Sequence, residues 1–69
     1  MDEEKLNLSV RRFLKNVGIT SQRTLEDKVR KLIATNKIQK SKVIKVTAKV
    51  SSEELEVDET IVGEIEIDI

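Results

Sequence analysis

Leu6, Val10, Phe13, Leu14 and Val17 recur at intervals that line one face of an α-helix, and Leu25, Val29, Leu32 and Ile33 repeat the pattern. Between the two runs stands "GITSQRTL", Gly18 to Leu25, and its reading decides the N-terminal half. Gly18 occupies the place where a C′ glycine ends a helix, and Thr20 or Ser21 offers an N-cap for the next one. The pattern thus predicts two helices, over roughly 3–17 and 21–35. Asp2 is placed to cap the first, with Glu3 and Glu4 where the helix dipole favours anions. Asn36-Lys37 ends the second, whose solvent face carries the i, i+4 pairs Glu26–Arg30 and Asp27–Lys31.

After the polar linker "QKSK" the period changes to two. Ile44, Val46, Ala48 and Val50 alternate with Lys45, Thr47 and Lys49, the mark of a half-buried strand. Ser51-Ser52 is read as a turn, Leu55 and Val57 as a short second strand, and Ile61, Gly63, Ile65, Ile67 and Ile69 as one face of a third. Strands are expected near 42–50, 54–58 and 61–69. The expected fold is α+β, in the order ααβββ. A helix-turn-helix-like hairpin in residues 1–36 packs on a small two- or three-stranded antiparallel sheet, a β-meander in 42–69, within a single domain 1–69. Phe13, the only aromatic, is expected to lie buried between the helices and the sheet.

Composition narrows the chemistry. There is no cysteine and no histidine, so thiolate sites, disulfides and the commonest neutral-pH acid–base group are absent. Acidic side chains alternate along the strands as solvent-facing charges do, without the spacing of a cation-binding loop. No enzyme, cofactor or metal is expected. No apolar run approaches the roughly 20 residues of a membrane span, and the start "MDEEK" does not read as a secretory leader, so a cytoplasmic location is expected. The net charge of zero hides a division: residues 1–50 hold all thirteen bases and five acids, and residues 51–69 the other eight acids. Cross-strand pairing of lysines with glutamates is the expected main cause.

A short glycine-containing turn between two helices is the mark of a helix–turn–helix. The stretch "GITSQRTLEDKVRKLIATNKI" resembles the recognition-helix segment of winged helix–turn–helix proteins through Gly18, Ile19, Ser21, Thr24, Leu25, Val29, Leu32 and Ile38. Over most of its length the chain resembles a family of short uncharacterised prokaryotic proteins. The residues that carry this likeness are Asn7, Ser9, Arg11, Phe13, Leu14, Lys15, Val17, Gly18, Thr20, Ser21, Gln22 and Arg23, with the closing "GEIEI". That resemblance implies no activity. The expected function is non-enzymatic binding, with duplex DNA as the first partner, held by Arg11, Ser21, Gln22, Arg23, Arg30 and Lys31. On the plainer reading Ser21 only caps a helix and the bases only balance acids. The alternative function is a protein partner or self-association at the edge of the last strand.

Overall fold

One uninterrupted helix, α1, runs over Glu3–Ala34, and two strands follow, β1 (Lys42–Ser52) and β2 (Val57–Ile67). The computed structural model describes residues 1–69 in full. The fold is α+β. The chain divides into two units, Met1–Ile38 and Gln39–Ile69.

The expected helical hairpin is absent, and "GITSQRTL" is the middle of α1. Gly18 has no positive φ, so it does not adopt the left-handed C′ conformation that ends a helix. A mid-helix glycine costs about 1 kcal/mol relative to alanine, too little by itself to break a helix whose apolar stripe continues on both sides. Neither Thr20 nor Ser21 caps anything. Thr24 Oγ1 instead donates to the Thr20 carbonyl at 3.0 Å, and Gln22 Nε2 donates to Glu26 Oε2 at 3.1 Å, both within the same continuous helix. Without a second helix Phe13 has no hairpin to be enclosed by, and it is 59 % exposed rather than buried. No residue of α1 is buried.

Both ends of the helix follow their sequence signals. The Asp2 carboxylate accepts the Lys5 N–H at 3.0 Å, with Glu3 and Glu4 in the first turn. Asp2→Ala is expected to cost about 1 kcal/mol of helix stability, checked by thermal melts followed at 222 nm. At the other end Asn36 takes a positive φ of 61°. The Asn36 N–H then reaches the Ile33 carbonyl at 3.0 Å, and the Lys37 N–H the Leu32 carbonyl at 2.8 Å. This is a Schellman closure with asparagine in the glycine role.

The second unit is a two-stranded antiparallel hairpin in the register Lys42↔Ile67, Ile44↔Ile65, Val46↔Gly63, Ala48↔Ile61. The expected break at Glu59–Thr60 does not occur, so there is no third strand. "DET" holds no Gly or Pro to turn the chain, and the period-two phase of Val57, Ile61, Ile65 and Ile67 runs through it. The turn instead spans Glu53–Glu56. There the Glu56 N–H meets the Glu53 carbonyl at 3.2 Å, and Glu56 takes the left-handed φ of 53°. Leu55, expected in a strand, is at this tip and 74 % exposed.

One face of the hairpin gathers Ile44, Val46, Val50 and Ile65, all half-buried, with Ile67 buried. The other face carries Lys45 directly opposite Glu64, and Lys49 Nζ 3.4 Å from Asp58 Oδ1. Lys49–Asp58 is the one ion pair between the strands; Lys45 and Glu64 stand in register without one. Both side chains of the Lys49–Asp58 pair are well exposed. A double-mutant cycle on it is therefore expected to return no more than about 1 kcal/mol. The C-terminus is clipped to the start of the hairpin: the Ile69 N–H donates to Ser41 Oγ at 2.9 Å, and that hydroxyl donates to Asp68 Oδ1 at 3.1 Å.

Candidate functional site

The helix surface is where the residues singled out by sequence come together, though not on one face. Counting about 100° per residue, Arg11, Ser21, Gln22, Arg23, Arg30 and Lys31 are spread over most of the helix circumference. Ser21 lies on the apolar side. Gln22 is engaged with Glu26, while Arg30 pairs with Glu26 at 3.5 Å and Asp27 at 3.2 Å. Arg11, Arg23 and Lys31 form no ion pair within the chain. The free N–H groups expected at the start of a second helix do not exist, because a continuous helix uses them internally.

Two other arrangements emerge from the same helix. Lys5, Arg12, Arg23 and Arg30 fall within about 20° of one line, since steps of seven and eleven residues return to nearly the same side. On roughly the opposite side lie Leu6, Val10, Phe13, Leu14 and Val17, each 36–59 % exposed. The stripe continues through Gly18 and Ser21 to Leu25, Val29, Leu32 and Ile33, which are half-buried. Gly18 is thus part of an apolar line rather than a joint between two helices. Sequence reasoning missed this, although a signal was present: Leu14 and Leu25 are eleven residues apart, only about 20° out of phase over three turns.

The hairpin offers less. A shallow depression at its tip is lined by Lys49, Ser51, Ser52, Glu53, Glu56, Val57 and Asp58. No three acidic side chains gather closely enough to hold a metal ion. No helix is long and apolar enough to cross a membrane. Acids and bases are unevenly shared: residues 1–38 carry nine bases and five acids, a net +4, and residues 39–69 four bases and eight acids, a net −4.

The family model described as "Family of unknown function (DUF6494)" matches residues 1–68. The chain belongs to that family. The matched residues include those of α1, β1 and β2. No curated protein and no solved structure matches the chain.

Proposed function

We propose that this protein is a small non-enzymatic binding module that works through the apolar face of α1, by association with protein. The observation that carries this reading is the exposure of Leu6, Val10, Phe13, Leu14 and Val17 on one side of a helix with no buried residue. In proteins a helix takes most of its stability from packing such a face. A contiguous exposed apolar patch of this kind marks an interaction site.

The reading is tested with a photo-reactive phenylalanine analogue placed in living cells at Leu14 or at Arg12, about 160° away round the helix. A covalent adduct of defined mass formed from position 14 and not from position 12 supports it. Equal labelling from the two positions, or none from either, overturns it.

Duplex DNA is the second reading, favoured by the row of Lys5, Arg12 and Arg23, none of which has an acidic partner in the chain. Phosphate contacts release counterions, so binding is expected to weaken steeply with salt. Arg23→Ala should lower affinity on every sequence and reduce the salt slope by about one unit. Titration to the roughly 10⁻⁴ M of non-specific binding, with no shift of the Arg12 or Arg23 amide at low salt, would rule it out.

A further inference from the structure

We infer that α1 pairs with α1 of a second copy of this chain, antiparallel, crossing at Gly18 and Ser21. The inference deepens the reading of α1 as an association surface and rests on it. Its first ground is spacing. Leu6, Val10, Leu14, Gly18, Ser21, Leu25, Val29 and Ile33 are separated by four, four, four, three, four, four and four residues. The series reads the same from either end. A two-fold axis midway between Gly18 and Ser21 therefore sets Leu14 against the partner's Leu25, with Val10 and the partner's Val29 on the flanks of the crossing. A self-complementary patch of this kind is what an isologous dimer requires.

The second ground is geometry. Steps of four drift about 40° round the helix, and the single step of three turns back by about 60°. Leu14, Gly18, Ser21 and Leu25 consequently sit within about 60° of one another, at the centre of the line. The two smallest side chains of the line stand at the crossing, where helix backbones come closest. Nothing in the chain itself accounts for the glycine. Its φ is not positive, and a Cβ built on it meets no atom within 4 Å. A residue that disfavours the helix, needed by neither its backbone nor its neighbours, is accounted for by a second helix approaching it.

Charge supports the antiparallel sense. The first turn holds Asp2, Glu3 and Glu4, while Lys31 and Lys37 stand at the other end of the unit. An antiparallel pair brings these opposite ends together and opposes the helix dipoles favourably. Arg11, which has no acid in its own chain, comes to the same edge as the partner's Glu26. Parallel pairing would set the acidic first turns side by side.

The test is light scattering of the full chain together with spin-label distances from single cysteines at Lys5→Cys and Arg23→Cys, both on the face opposite the apolar line. Twice the chain mass is expected, with roughly 50 Å between labels at position 5 and roughly 25–30 Å at position 23. Similar short distances at both sites would show a parallel pair, overturning this inference and leaving the association reading intact. Gly18→Leu improves helix propensity, so misfolding would not explain a loss, and it is expected to weaken the dimer at least tenfold. A dimer indifferent to Gly18→Leu overturns the crossing. A monomer at all concentrations overturns the pairing; position-14 adducts of another mass would then preserve the association reading, and their absence would end both.

Discussion

Leu14→Glu is expected to leave a monomer with most of its helical signal gone, whereas Leu8→Glu is expected to change neither. The two leucines are almost equally exposed in the single chain, 47 % and 49 %. They differ in position, about 120° apart round α1, with Leu14 on the apolar line and Leu8 off it. In an antiparallel pair each substitution counts twice. Each copy loses about 2–3 kcal/mol of leucine burial, and a carboxylate is left against the partner's Leu25. At 1.4 kcal/mol per decade, a loss of about 4–6 kcal/mol weakens the dimer by roughly 10³–10⁴-fold. Helicity follows because a 32-residue helix with no buried residue depends on that contact to hold its face. Sedimentation velocity gives the mass and circular dichroism the helix content. Equal losses in both variants would show that general hydrophobicity holds the helix together, rather than a specific line.

The parts of the fold that were legible in the sequence are those set by local chemistry. The change of hydrophobic period from 3.6 to two separates α1 from β1 without ambiguity. Asp2 at the start and Asn36 at the end act as their side chains predict, because a cap is decided within four residues. What was not legible depended on choosing between two meanings of one residue. Gly18 serves equally as a C′ stop or as a small residue inside a helix, and only φ distinguishes them. The stripe's phase across Gly18 carried more information than the glycine itself. The same holds at Glu59–Thr60, where the alternation runs on without a turn residue to interrupt it.

The candidate site shows the same limit. Arg11, Ser21, Gln22, Arg23, Arg30 and Lys31 were grouped by their closeness to a supposed turn, and a continuous helix disperses them. Part of the charge division was readable, since Lys49 reaches Asp58 and Lys45 stands in register with Glu64 as alternating strands require. The remainder, +4 on residues 1–38, stays on the helix unit and leaves Arg11 and Arg23 without acids. Such unpaired charge, beside an uncovered apolar line, directs attention to contacts outside the chain.

The hairpin provides the second large effect. Ile65→Lys is expected to abolish amide-exchange protection along β1 and β2, while Val62→Lys is expected to keep it. Ile65 is half-buried and stands opposite Ile44 on the face that ends in the buried Ile67. Val62 points to the other face, opposite Thr47, and is 58 % exposed. Replacing an apolar contact with a charge on the first face removes about 2–4 kcal/mol, from lost burial together with charge desolvation. A two-stranded hairpin is marginal in water to begin with, so that loss exceeds what the unit has to spare. The exposed Lys49–Asp58 pair, worth at most about 1 kcal/mol, cannot offset it. Nor can the strands slip to rescue the face, because a shift of one residue would turn Ile44, Val46 and Val50 outward together. Exchange measured amide by amide separates the outcomes. Protection surviving in Ile65→Lys would mean that backbone pairing, not this apolar face, holds residues 42–67 in register.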